Sequence, residues 1–177
     1  MSNLVLRRAD ILKLIDMPAR SFDAMLMRNQ APWSPRESGR TWGDFSTEDA
    51  YRVALQYALV RQGRTLSEAG AAIRSEFRTL MSIKSPEVGD LLLGTFITET
   101  LPSEEEGARL HLSVLAPESN WLTEMARIKA EVAKDDTLIG FFAVNATAIM
   151  RRTLVKARAA DLVDQRLLKL ATKVGAA

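Results

Sequence analysis

Arg8-Ala9-Asp10-Ile11-Leu12-Lys13-Leu14-Ile15 and Ala19-Arg20-Ser21-Phe22-Asp23-Ala24-Met25-Leu26-Met27-Arg28 follow one another across Asp16-Met17-Pro18. Ile11, Leu12, Leu14 and Ile15 recur at helical spacing, and so do Phe22, Met25 and Leu26. That spacing predicts two short amphipathic helices, over about 8–15 and 19–28. Proline near the start of the second helix costs little, because the first N–H groups of a helix have no intrahelical partner. A helix this short is marginal alone, so the second must be held through Phe22, Met25 and Leu26. Arg20, Ser21, Asp23, Ala24, Met27 and Arg28 are left for its other faces.

The next residues are polar and punctuated by proline and glycine: Asn29-Gln30-Ala31-Pro32-Trp33-Ser34-Pro35-Arg36-Glu37-Ser38-Gly39-Arg40-Thr41-Trp42-Gly43-Asp44-Phe45. They suit a two-stranded wing over 33–36 and 40–42, turning at Glu37-Ser38-Gly39, with its aromatics pinned to the core. Ser46 or Thr47 then caps a third helix, with Glu48 and Asp49 in its first turn. Tyr51, Ala54, Leu55, Ala58 and Leu59 form its buried stripe, and Gly63 ends it. Thr65 and Glu68 make a capping box for a fourth helix, carried to about residue 79 by Leu66, Ala69, Ile73 and Phe77. Two short helices, a basic loop and two longer helices are the order of a winged helix-turn-helix.

Beyond Pro86 the periodicity changes. Residues 91–100 and 109–115 have strand composition; in the second, Leu110, Leu112 and Val114 alternate with Arg109, His111 and Ser113. An acidic loop, Pro102-Ser103-Glu104-Glu105-Glu106-Gly107, joins them. A helix over 119–133, a third strand over 137–143 and one long helix over 145–173 complete the chain. The expected fold class is mainly α with a small sheet (α+β). A winged helix-turn-helix domain over 1–82 would be followed by a ββαβα unit over 88–177, its sheet covered on one face by helices. Trp121, Phe141 and Phe142 read as core, with a ligand pocket as the alternative.

Net charge is only +2 over 177 residues, so no partner follows from the total. The distribution says more: formal charges are +3 over 1–80, −6 over 81–145 and +5 over 146–177. The absence of cysteine excludes disulfides, thiolate nucleophiles and thiolate metal sites, and suits a reducing compartment. No apolar run reaches the ~18 residues of a membrane span, and the first residues lack the order of a signal peptide. A cytoplasmic protein away from the membrane is expected.

Nucleic-acid recognition fits these features best. In a helix-turn-helix the second helix enters the major groove and its N-terminal half meets base edges. That places Arg20, Ser21 and Ala24 toward bases and Arg28 toward phosphates. Arg36 and Arg40 in the wing would hold the backbone or enter the minor groove. Arginine suits the first role because its planar fork bonds two acceptors of guanine at once.

Arg40, Trp42, Phe45, Ser46, Glu48, Asp49, Gln62-Gly63, Leu66, Ser67 and Glu68 stand in the order found in one family. On these residues, positions 8 to about 78 resemble the winged-helix domain of the MerR (mercury-resistance regulator) superfamily, including its excisionase-like branch. The resemblance implies a dimeric transcriptional regulator acting on double-stranded DNA. Phe22-Asp23 stands near where the family has an Arg-Tyr pair, the family's long dimer helix is not evident after residue 80, and its metal-sensing cysteines are absent.

Catalysis would fall to His111, the sole histidine, which occupies an ordinary alternate position on a strand. Glu104-Glu105-Glu106 and Asp135-Asp136 lack the spacing of a calcium loop, and no phosphate-cradling glycine motif occurs. The expectation is therefore no enzyme, no catalytic residues, no metal and no cofactor. The protein would be a sequence-specific regulator and homodimer, with a small-molecule or protein effector acting at the C-terminal part. An excisionase-like architectural DNA-binding factor and a protein-interaction adaptor are the alternatives.

Overall fold

The computed structural model describes residues 4–33, 43–82, 89–100, 109–131 and 136–176. The first helix, α1 (Arg8–Leu14), ends where Ile15 turns extended, three residues ahead of Pro18. Pro18 then precedes α2 (Ala19–Met27). Asn29 closes α2 in the left-handed region at φ +52°, and the Gln30 N–H donates to the Met25 carbonyl at 2.9 Å. This turn satisfies carbonyls that the helix end would otherwise orphan.

Helix α3 (Thr47–Arg61) begins with a reciprocal cap: the Asp49 N–H donates to Ser46 Oγ at 3.1 Å and the Ser46 N–H to Asp49 Oδ2 at 2.7 Å. Gly63 at φ +105° ends it, a conformation open to glycine at little cost. Thr65 and Glu68 exchange the matching bonds ahead of α4 (Leu66–Ser82).

The second half forms β1 (Leu91–Thr100), β2 (Arg109–Pro117), a single turn of 3₁₀ helix (Glu118–Asn120), α5 (Trp121–Glu131) and β3 (Asp136–Asn145). The strands make one antiparallel sheet in the order β2-β1-β3. In register, Phe96 faces Leu112 on one side and Phe141 on the other. Because β1 is central and β2 and β3 flank it, the connection through α5 crosses the sheet. Helices therefore cover both faces, not the one expected. Leu91, Leu93 and Val144 join the large helical core, whereas Phe96, Val114 and Ile128 pack with Trp121 and Met125 under α5.

Trp121 lies over Gly94, where an added Cβ would sit 2.3 Å from its ring. Phe141 stacks on the same face at 5.7 Å from Trp121 and 4.9 Å from Phe96. Phe142 points to the other face, against Gly63 and the Arg64 guanidinium. The three aromatics are thus divided between the two sides of the sheet.

The expected long C-terminal helix is two helices, α6 (Ala146–Ala159) and α7 (Gln165–Lys173). Asp161 takes the left-handed conformation at φ +55°, and the Leu162 N–H closes the turn on the Ala157 carbonyl at 2.8 Å. Asp164 then caps α7, accepting from the Leu167 N–H at 2.9 Å. Apolar periodicity runs through the break because both helices bury one stripe each, so spacing alone hides it.

One apolar cluster extends from Leu6 to Ala176 and takes in residues from α1 to α4, β1, β3, α6 and α7. The expected boundary near 83–88 lies outside the described residues. Across it, polar bonds at buried positions join the two halves. The Tyr51 hydroxyl donates to the Ala146 carbonyl at 3.0 Å, and burial pushes this phenol far above its ordinary value. Within the second half, Thr147 Oγ1 accepts from the Leu91 N–H and donates to the Val174 carbonyl. Asp164, 3% exposed, accepts from Thr47 Oγ1 at 2.6 Å and the Leu4 N–H at 3.2 Å.

Candidate nucleic-acid interface

Helix α2 is anchored by one face only. Phe22 and Met25 are fully buried, with Phe22 edge-on to Phe45 at 5.5 Å and Trp33 tilted against Phe45 at 6.1 Å. Phe45 is itself tied by a two-way backbone bridge to Leu6. The chain leaving α2 is held by side chains from behind. Gln56 Nε2 donates to the Gln30 and Leu66 carbonyls, both at 2.7 Å, and Arg74 Nη1 to the Ala31 carbonyl at 2.7 Å. Gly70 permits this approach, since a Cβ there would meet the Gln30 carbonyl at 2.8 Å.

The opposite face of α2 is open. Arg20 and Arg28 are exposed, Ser21 and Ala24 are half-buried, and Met27 is 80% exposed. These residues recur at three-, four- and seven-residue intervals, so they share one side of the helix. Neither Arg20 nor Arg28 has an ion-pair partner among the described residues. The helix carries a single acid, Asp23, and it is neutralised: Arg8 Nε and Nη2 bind its two oxygens, each at 2.7 Å. A bidentate pair fixes both groups more firmly than a single contact would.

The Arg8 hydrogen bond, aided by its charge, holds the Asp23 carboxyl below its ordinary 3.8. A lowered folded value means the pair's stabilisation is complete above pH 3.8 and disappears as pH falls below it, through the folded value. An NMR titration of the Asp23 side-chain carbon is expected to give a midpoint under 3.8, rising toward that figure in Arg8→Ala. A midpoint unchanged by Arg8→Ala would show that the pair is not formed in solution.

The remaining basic residues divide by environment. Arg64 is 4% exposed and lies over the Phe142 ring, while Arg52 lies 3.9 Å over the Phe77 ring and donates to Glu48. Burial pulls the Arg64 guanidinium below its ordinary value, with Glu68 opposing from 3.8 Å. On α6, Arg151 pairs with Asp90 at 3.2 Å, and Arg152 and Lys156 converge on Asp16. Asp16 belongs to the turn between α1 and α2, beside an open cleft lined by Leu14, Tyr57 and Ile149. Arg152 and Lys156 of α6 therefore grip the turn that sets up α2.

Arg36, Arg40 and Trp42 lie outside the described residues, as does the expected wing over 33–36 and 40–42 apart from Trp33. One feature was not read from sequence. The Arg8–Asp23 pair joins residues fifteen apart on different helices. Met27, an apolar residue out of phase with Phe22 and Met25, is the signal that spacing did carry.

Among the described residues no group of three or more His, Cys, Asp or Glu side chains could hold a metal ion. No helix among them is long and apolar enough to cross a membrane. The chain matches no family model, no curated protein and no solved structure.

Proposed function

We propose that the protein is a sequence-specific DNA-binding transcriptional regulator of the cytoplasm, with no chemistry of its own. In this reading α2 enters the major groove. Arg20 bonds guanine, Ser21 and Ala24 approach base edges, and Arg28 holds phosphate. Arg36 and Arg40 contact the backbone or the minor groove, as the MerR-like order of residues suggests. The protein acts as a homodimer, and the edges of β2 and β3, unpaired among the described residues, offer one route to pairing. An effector would act through the C-terminal half, whose α6 grips the α1–α2 turn at Asp16.

One observation carries the proposal. A short helix is anchored by its apolar face, its only acid is neutralised from a neighbouring helix, and its open face presents two arginines without carboxylate partners among the described residues. A phosphate-lined groove is the surface that such a face complements.

The test is selection of bound duplexes from pooled genomic fragments, followed by anisotropy titrations at several salt concentrations. Arg20→Ala is expected to lose about tenfold or more on the selected site and little on random DNA, the scale of one bidentate base contact. Arg28→Ala is expected to weaken both alike and to flatten the salt slope by about one. Equal losses on specific and random DNA for both variants would refute this division. No retention of any duplex at low salt would reject DNA binding in favour of a protein-interaction adaptor.

A further inference from the structure

We propose that Met27 is a specificity-determining residue that packs on the 5-methyl group of a thymine in the major groove. The inference rests on α2 being the groove-entering helix. Met27 is 80% exposed at the last position of α2, the one large apolar side chain of that helix that is exposed. It follows Arg20 by seven residues, which returns it to within about 20° of the same direction on the helix. It follows Ala24 by three. Arg20, Ala24 and Met27 are therefore one row, and Arg28 stands beside its end.

That row has a chemistry of its own. A cation begins it, a small residue allows close approach in the middle, and a long polarizable apolar side chain ends it. No carboxylate interrupts it, since Asp23 is bound to Arg8. In the major groove only thymine offers an apolar group, its 5-methyl, while guanine offers the paired acceptors that suit arginine. Met27 lies off the buried face of α2, which is Phe22 and Met25. Its thioether adapts its shape to the surface it meets.

Spacing gives the arrangement. Seven residues of helix advance about 10 Å, and base pairs are stacked about 3.4 Å apart. A helix lying along the groove would thus place Met27 about three base pairs from the guanine bound by Arg20.

The experiment uses the full-length protein and duplexes recovered by selection. Each thymine is replaced in turn by deoxyuridine, which removes the 5-methyl group and nothing else. Wild type is expected to lose about fourfold in affinity at one thymine, about three pairs from the Arg20-dependent guanine, the scale of burying one methyl. Met27→Ala is expected to bind the unmodified duplex about fourfold more weakly than wild type and to ignore the same replacement. Its thermal midpoint is expected to equal that of wild type, because the side chain is exposed. Two outcomes overturn the contact and leave sequence-specific binding standing: a wild type indifferent at every thymine, or a Met27→Ala variant that keeps the sensitivity. Failure of wild type to select any duplex overturns both.

Discussion

Phe22→Ala is expected to destabilise the protein by about 3–5 kcal/mol, the range for truncating a fully buried phenylalanine. The ring is wholly buried and edge-on to Phe45 at 5.5 Å, so its loss removes both its own burial and an aromatic contact. The damage should be uneven. Helix α2 has nine residues, too few to persist without tertiary contacts. Its anchors are Phe22, Met25 and the Gln56 and Arg74 bonds that hold the chain just beyond it. Urea titration gives the total, and hydrogen exchange separates the parts. Amides of α2 are expected to lose protection far more than those of α3, which keeps its own capping box and its contacts with α4 and α6. A loss under about 1 kcal/mol, or one spread evenly over α2 and α3, would show that Phe22 is not the anchor.

Asp164→Ala is expected to cost about 3 kcal/mol, because one buried carboxylate serves three donors from three parts of the chain. Its oxygens accept from the Leu4 N–H, the Thr47 hydroxyl and the Leu167 N–H. Alanine leaves all three without that acceptor and removes the N-cap of α7, which alone is worth about 1 kcal/mol. Asn keeps one carbonyl oxygen and should recover part of the loss. The order expected in thermal melts is wild type, then Asp164→Asn, then Asp164→Ala. If Asn and Ala melted together near wild type, the three bonds would carry no stability. The position also has a functional reading. Thr47 starts α3 two residues after Phe45, which packs on the anchor of α2. The α6–α7 pair thus touches the α2 support at Thr47 and the α1–α2 turn at Asp16.

Local rules account for much of the fold. Ser46 with Asp49 and Thr65 with Glu68 mark helix starts through side chains three residues away, within reach of any reader of the chain. Gly63 ends α3 because glycine tolerates its positive φ. The recurrence of Phe22 and Met25 at i, i+3 makes α2 one-faced before any partner is known, and so leaves Arg20, Ser21, Ala24 and Arg28 on its other sides. Alternation in β2 and the composition of β1 place the strands. All of these depend on residues within a few positions of one another.

What only the tertiary structure decided involves partners far apart in sequence. The break between α6 and α7 depends on Asp161 adopting the left-handed conformation and on Asp164 meeting Thr47 from a distant helix. The order β2-β1-β3 sends α5 across the face opposite the helices, and Gly94 is small because Trp121 descends on it there. The charge of the candidate interface was settled in the same way. Asp23 is cancelled by Arg8, while Arg152 and Lys156 are drawn to Asp16 and away from any external anion. Periodicity tells which side of a helix is apolar. It does not tell which charged side chains meet, because ion pairing depends on distances that the packed chain alone establishes.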